Sequence, residues 1–333
     1  MGKRRRCEEE AGASERPRRG RLHLVVHDYA RGCTVYKLDV DAFPPGTGTD
    51  DHLESTARRL PHDSVAIRMG SPDRHQCDQF VCFGSKIFAF YKDADAGHST
   101  MVYDSATSQV AVCPPLLAPK ELAEFLTKLG PAPRRGGGEW RWESLRPPPI
   151  KLPILVSSQA VYPNGSTIFL SVADRGTFSF DTGRLAWTRH GSWLLPFHGD
   201  AYFVRELDAW VGLCSHQKGY ITVCNVISPD DGRCGYPTST TVEDRVYNNR
   251  WKRHLAASLT YMGNAEFCLL ETIMRKGYDI FTESRMRMLL RLATFQVEHQ
   301  HSGEVRAVDM RTMLYKCPHW EMECSRSPTA FWI

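Results

Sequence analysis

Three groups of residues have side chains of the right types for chemistry. His190-Gly-Ser192 places an imidazole two residues from a hydroxyl, the pairing that activates a serine nucleophile. A triad, however, is defined by geometry across a fold, and no Gly-x-Ser-x-Gly elbow occurs anywhere in the chain. Cys317-Pro-His319 with Cys324, and His299 with His301, offer thiolate and imidazole ligands towards the C-terminus. A closed zinc site takes four ligands, commonly in two paired clusters, and here three crowd one segment with no fourth assigned. Gly46-Thr-Gly48 lies in a Pro/Gly/Asp loop, and no Gly-x-x-x-x-Gly-Lys-Ser/Thr is present, so neither a dinucleotide fingerprint nor a P-loop is expected. The reading is no catalytic residue, no metal ligand and no cofactor.

The tryptophans face a similar choice. Trp140, Trp142, Trp187, Trp193, Trp210 and Trp251 could line a binding face, where aromatic side chains are favoured. They bury large areas, and filling the gaps between sheets is the expected role. Asn164-Gly-Ser166 has the form of a glycosylation acceptor but reads as a turn.

The elements that must position these residues are short β-rich runs, beginning at Gly20 and broken by Gly, Pro, Asp and Asn. About five copies of one unit recur among them. Gly84-Ser-Lys-Ile-Phe-Ala-Phe90 leads to Met101-Val-Tyr-Asp104, and Gly165-Ser-Thr-Ile-Phe-Leu-Ser171 leads to Phe178-Ser-Phe-Asp181 with Trp187 beyond. Weaker copies are Gly199–Phe203 with Ile221–Asn225, Leu22–Val26 with Val35–Asp39, and Phe267–Leu270 with Leu292–Val297. In this unit Gly84 and Gly165 supply turn conformations that branched residues resist. The side chains of Asp104, Asp181 and Asn225 can bond their own backbone beyond the strand and close the next turn. Trp187 belongs to the third strand of its unit.

Apolar residues on both faces of such sheets suit radial stacking, which leaves only short, protected edges. The expected fold is all-β, a kelch-like β-propeller of about five or six blades, with a β-sandwich as the structural alternative. One departure is Pro119–Leu129, where Leu122, Phe125, Leu126 and Leu129 recur at helical spacing before a Gly/Pro-rich loop. It is read as a short helical insertion over residues 118–139. Residues 276–288 are also less strand-like. The expected organisation is a disordered basic tail over 1–19 and one propeller domain over 20–333.

The unit is similar to the kelch repeat, although Tyr91-Lys-Asp93 and Val172-Ala-Asp174 stand where kelch blades carry a Gly-Gly pair. A closer resemblance rests on Leu24-Val-Val-His-Asp28 with Val35–Asp39, Gly176-Thr-Phe-Ser-Phe-Asp-Thr182, His190–Phe197 and Leu207-Asp-Ala-Trp-Val-Gly-Leu213. These motifs together resemble a plant family much expanded in grasses, catalogued as domain of unknown function family 1668. The resemblance implies a kelch-like propeller and no established activity, so it contributes no catalytic residues.

Composition narrows the partners. The chain has 333 residues, 42% hydrophobic and 24% charged, which is ordinary globular usage. Eight of its basic residues lie in the first 21, among them Lys3, Arg4, Arg5, Arg6, Arg16, Arg18 and Arg19, against four glutamates. Removing these from totals of 42 basic and 38 acidic residues leaves 34 of each. A balanced body provides no bulk field for a polyanion, so nucleic acid is not the expected partner. The two basic clusters of the tail have the spacing of a bipartite nuclear import signal. The 11 cysteines are scattered, with no Cys-x-x-Cys, and fit reduced thiols in the cytosol or nucleus. The uncharged stretch Leu152–Ala173 carries Pro153 and a Pro163-Asn164-Gly165 turn, so it reads as two strands, not a membrane span. The leading expectation is a monomeric, non-catalytic protein-interaction module with an unidentified protein partner. Alternatives are an enzyme or carbohydrate-binding protein using the central pocket, and a nuclear factor using the basic tail.

Overall fold

The structure is a computed structural model describing residues 20–28, 32–46, 55–69, 77–91, 98–116, 149–150, 155–230, 236–247, 254–274, 285–286, 288–300, 303–317, 320–321 and 328–333. Its regular elements are β-strands, apart from two single 3₁₀ turns, Val40–Ala42 and Arg205–Leu207. The chain opens with β1 (Leu22–Asp28), β2 (Gly32–Leu38), β3 (Arg58–Arg59) and β4 (Val65–Met69). Next come β5 (Cys77–Phe83), β6 (Lys86–Tyr91), β7 (His98–Asp104) and β8 (Gln109–Leu116). A third group is β9 (Val156–Val161), β10 (Thr167–Val172), β11 (Gly176–Asp181) and β12 (Ala186–Gly191). A fourth is β13 (Phe197–Val204), β14 (Ala209–Cys214), β15 (Ile221–Asn225) and β16 (Ser239–Thr241). The last strands are β17 (His254–Gly263), β18 (Glu266–Met274), β19 (Arg285–Met286), β20 (Met288–His299), β21 (Val305–Lys316), β22 (Trp320–Glu321) and β23 (Thr329–Trp332).

Hydrogen bonding gathers these strands into five antiparallel meanders. The second sheet is β5-β6-β7-β8; the third and fourth, β9–β12 and β13–β16, merge because β9 and β13 pair in parallel from Ser158–Gly199 to Ala160–Ala201. The fifth runs β17-β18-β20-β21 with β3 on its edge, and β19 pairs separately with β22. The first sheet is composite, in the order β23-β1-β2-β4. Its first position is filled by the C-terminal strand, Leu22 facing Trp332 and Val25 facing Thr329.

Period-two alternation sends successive residues of each strand to opposite faces, and here each face meets a different sheet. In β1, Leu22, Leu24 and Val26 pack with Cys268, Leu270, Leu290 and Leu292 of the fifth sheet. Val25, with Val35 and Met69, instead packs on Ile87, Ala89 and Tyr103 of the second sheet. Likewise Phe267, Leu269 and Phe295 of the fifth sheet meet Val211, Leu213 and Ile221 of the fourth. The other face of the fourth sheet sets Trp210 and Cys224 against Phe169 and Ala160 of the third. Full burial of one such Phe or Leu stabilises by roughly 1.5–3 kcal/mol. The packing order is therefore second, first, fifth, fourth, third. At both ends of that series the outward faces are also buried: Phe88 is 1% exposed and Phe180 0%.

The leading strands of neighbouring meanders lie side by side. Besides the β9–β13 pairing, Tyr202 OH donates to the Leu259 carbonyl of β17 at 2.8 Å, and Thr260 Oγ1 to the Ala330 carbonyl of β23 at 3.1 Å.

The all-β expectation holds for the described residues, with one correction to the repeat. The recurring unit covers the second, third and fourth strands of each meander, and the strand before it escapes the pattern. Gly199 is out of phase: it lies within β13, at an irregularity in its pairing with β14, and not in a turn before a second strand. The turn equivalent to that of Gly165 is the 3₁₀ segment ended by Asp208 in the left-handed region, φ +45°. The helical run 119–129, the insertion 118–139 and the basic tail lie outside the described residues.

Candidate functional site

The turn residues shape the sheet ends. Gly84 and Gly165 have φ of +57° and +73° in the β5–β6 and β9–β10 connections, with open space where a side chain would stand. Asp104 ends β7 and accepts from Ala106 N–H at 3.0 Å and Ser85 Oγ at 2.8 Å, while Lys86 pairs with its other oxygen. Asp181 ends β11, and its Oδ1 accepts from Gly183 N–H at 2.8 Å and Arg184 N–H at 2.9 Å. Asp39, at the end of β2, does the same for Asp41 N–H at 3.1 Å. The hydrogen bond from Lys86 holds Asp104 below the usual carboxylate range, and the Arg184 and Gly183 amides do so for Asp181. Asn225 acts differently. Its Oδ1 accepts from Thr238 N–H at 2.6 Å, pinning the returning strand thirteen residues on instead of closing a tight turn. Trp187, on β12, packs its ring 4.8 Å from Phe180.

On the third sheet, alternation produces one apolar face and one hydroxyl-bearing face. Leu170, Val172, Phe178 and Phe180 lie on the first; Thr167, Ser171, Thr177, Ser179 and Thr188 lie on the second, around Phe169, which packs on Trp210. The polar face is internally bonded near its middle. Ser171 Oγ and Thr177 Oγ1 are 2.9 Å apart, Thr177 donates to the Trp193 carbonyl at 2.7 Å, and Leu195 N–H donates to Ser171 Oγ at 2.8 Å.

Towards the Asp181 end the same face opens into a cleft of about 360 Å³. Asn164, Thr167, Ser179, Asp181, Arg184, Ala186 and Thr188 line it, and from the fourth sheet only Pro229 and Asp230, after β15, reach it. Ser179, 3% exposed, has its hydroxyl 2.8 Å from His190 Nε2. The His190 ring lies 4.9 Å from that of Phe169, and burial lowers its pKa, favouring the neutral imidazole. A histidine–serine pair is therefore present, but between strands: His190 bonds Ser179, eleven residues earlier, and not through the His190-Gly-Ser192 fragment.

A second polar cluster is buried beneath the connection from the fourth to the fifth sheet. Glu271 on β18, 0% exposed, accepts from Arg291 Nη1 at 3.2 Å and lies 3.1 Å from His254 Nδ1. Arg291 Nη1 also donates to the Val246 carbonyl at 2.8 Å, and Tyr247 stacks on His254 at 4.6 Å. Nearby, Asp244 receives both Nε and Nη2 of Arg306, at 2.7 and 2.8 Å. Burial of charge without partners is expensive, so this network serves to hold residues 242–247 on the fifth sheet.

Cys33, Cys82, Cys214, Cys224 and Cys268 form no disulfide among the described residues. Burial pushes the Cys224 and Cys268 thiols up to about 12, which suppresses their reactivity. Among the described residues no three His, Cys, Asp or Glu side chains gather as a metal site, and no helix is long and apolar enough to cross a membrane. Of the C-terminal ligand candidates, His301, His319 and Cys324 lie outside the described residues, as do Trp140, Trp142 and Trp251. Trp210 is buried, its Nε1 donating to the Val161 carbonyl at 2.9 Å.

Repeated antiparallel meanders, packed face to face and carrying a polar cleft between two of them, define the class: an all-β protein of stacked four-stranded sheets. The chain belongs to the family described as "Protein of unknown function (DUF1668)", whose model matches residues 19–127 and 121–315. No curated protein matches it in sequence. Among solved structures, TolB from Acinetobacter baumannii is 11% identical, over 90% of this chain and 67% of its own, with a TM-score of 0.32. Apo AztD from Citrobacter koseri is 10% identical over 94% and 97% of the two chains, TM-score 0.32. The WD40 domain of SCAP from fission yeast is 8% identical over 90% and 64%, TM-score 0.24.

Proposed function

We propose that the chain is a non-catalytic, kelch-like β-propeller of five blades that works as a protein–protein interaction module. Three features support closure into a ring. The C-terminal strand completes the first sheet, the leading strands of successive meanders adjoin, and the outward faces of the second and third sheets are buried. A ring in which those two faces cover one another is the arrangement that leaves no apolar sheet face in water.

The observation that carries the binding role is the set of long connections carried by otherwise tightly turned sheets. First-to-second strand connections are tight: 84–85, 162–166, 205–208 and 264–265. The opposite strand ends carry the segments 117–155, 242–253, 275–287 and 317–328, and two further long connections, 39–64 and 226–238, leave from the same ends as the tight ones. Rigid sheets displaying long connections at their ends match the general design of a recognition scaffold. The test is proximity labelling in native tissue with the full chain, beside a variant whose residues 118–154 are replaced by a short Gly/Ser linker. The expected result is a reproducible set of protein neighbours, diminished by the replacement while the thermal unfolding midpoint stays put. Labelling that enriches no protein over background rejects the reading.

A further inference from the structure

The cleft on the third sheet has a composition that a packing interface does not need. Elsewhere in the described core, facing sheets meet mainly through aliphatic and aromatic side chains, and the buried Glu271–Arg291 pair is closed by its own hydrogen bonds. Here hydroxyls of Thr167, Ser179 and Thr188, the Asn164 amide and the charged groups of Asp181, Asp230 and Arg184 converge on one open volume of about 360 Å³. That size is at the low end for small-molecule pockets. We propose that this cleft binds a small, neutral, polyhydroxylated ligand, a mono- or disaccharide, between Thr188 and Asp181 on one wall and Asp230 on the other.

Charge and hydrogen-bonding capacity choose the ligand class. Two carboxylates against one guanidinium give the lining a net negative charge, which opposes a phosphorylated or carboxylated ligand. Asn164, Thr167 and Ser179 keep hydrogen bonds within the protein, but an apolar ligand would take water from the exposed Thr188 hydroxyl and Asp230 carboxylate and return no hydrogen bond. A sugar presents adjacent hydroxyls that both donate and accept, which is what carboxylates, an amide and threonine hydroxyls together can satisfy. Asp181 Oδ1 is occupied by the turn amides of Gly183 and Arg184, and its Oδ2 is 3.8 Å from Arg184 Nη1, so Oδ2 is the oxygen placed to accept from a ligand. Ala186 and Pro229 supply two small apolar surfaces for the C–H faces of a ring. Ser179 forms the floor, and His190 positions its hydroxyl through the 2.8 Å contact between them.

The inference does not depend on ring closure or on a protein partner, because the cleft is built from the third sheet and the connection after β15. The experiment is saturation-transfer NMR and calorimetry on the full chain, using glucose, galactose, maltose and cellobiose, with glucose 6-phosphate as the charged comparison. Thr188 and Asp230 are both exposed, so Thr188→Val and Asp230→Ala leave the packing intact. Saturable binding of at least one neutral sugar is expected, weakened about tenfold by Asp230→Ala, the loss of one charge-assisted hydrogen bond. Thermal unfolding of each variant verifies its fold. Absence of saturable binding across the neutral sugars, wild-type affinity in both variants, or tighter binding of glucose 6-phosphate than of glucose overturns the proposal.

Discussion

Gly176 shows how little freedom some single positions have. It begins β11 with φ +102°, and a Cβ built there would stand 1.9 Å from the Gly191 carbonyl oxygen. The obstacle is backbone, so no side-chain rotation relieves it. Gly176→Ala is expected to cost about 3 kcal/mol from strain and displacement of β12. Urea unfolding checks this, and a loss within about 0.5 kcal/mol would place the residue among neutral surface sites. His23 makes a different demand. It is 1% exposed; its Nδ1 lies 3.1 Å from the Arg21 carbonyl, and its Nε2 is buried without a hydrogen bond among the described residues. Burial lowers its pKa from the ordinary 6.5, outweighing the Arg21 carbonyl, which raises it. The unfolded chain therefore takes up a proton at a pH where the fold resists it. Above about pH 6.5 the residue adds no pH dependence, and below it stability falls by up to about 1.4 kcal/mol per pH unit until the folded pKa is reached. His23→Asn, which keeps a donor near Arg21, is expected to flatten the slope between pH 6.5 and 5 measured by urea titration. An identical slope in both proteins would assign the effect elsewhere.

At the scale of elements, β18 and β20 carry an ion pair where their neighbours carry leucine. Glu271 faces Arg291 directly in the register, flanked by Leu270–Leu292 and Thr272–Leu290. Glu271→Ala leaves a guanidinium buried beside the Val246 carbonyl and is expected to destabilise by about 3–5 kcal/mol. Replacing both members, Glu271→Met with Arg291→Met, is expected to recover most of that loss, because no unpaired charge remains. A double variant less stable than Glu271→Ala, by the same unfolding measurement, would show that the bond to Val246 dominates over the charge pair. Sequence reading reached these elements unevenly. The second and third strands of each meander stand out, since Lys86–Tyr91 and Thr167–Val172 are apolar runs behind a glycine turn. Fourth strands such as Ala186–Gly191 are polar and largely exposed, so no apolar run marks them. The cleft was harder still. Ser179 meets His190 across a hairpin, and Asp230 arrives from a different sheet, contacts that spacing along the chain does not encode. Asn225 carries the right side chain for a turn, yet its partner lies at Thr238, because the connection after β15 is long.

For the whole molecule, the first sheet joins the two ends of the described chain. Arg21 and Ile333 exchange backbone hydrogen bonds at 2.7 and 3.1 Å, beyond the β1–β23 pairing. A circular permutant that links Ile333 to Gly20 through a short Gly/Ser segment and opens the chain at Gly183, in an exposed turn, should fold. Its thermal midpoint is expected within a few degrees of the parent, since only one tight turn is lost. By contrast, removing residues 328–333 strips the partner from β1 and uncovers Leu22, Leu24 and Leu38. Loss of a cooperative thermal transition is the expected outcome, and an unchanged midpoint would mean that the first sheet is stable with three strands.

That same pairing has a consequence for biosynthesis. Leu22 leaves the ribosome long before Thr329, and at about 5–20 residues per second the interval is on the order of tens of seconds. Throughout it the first hairpin waits with one flank open, a ready template for a neighbouring nascent chain. Native pairing of the first sheet thus completes only after residues 329–332 have been synthesised, and anything that hides that flank meanwhile protects the chain from mispairing.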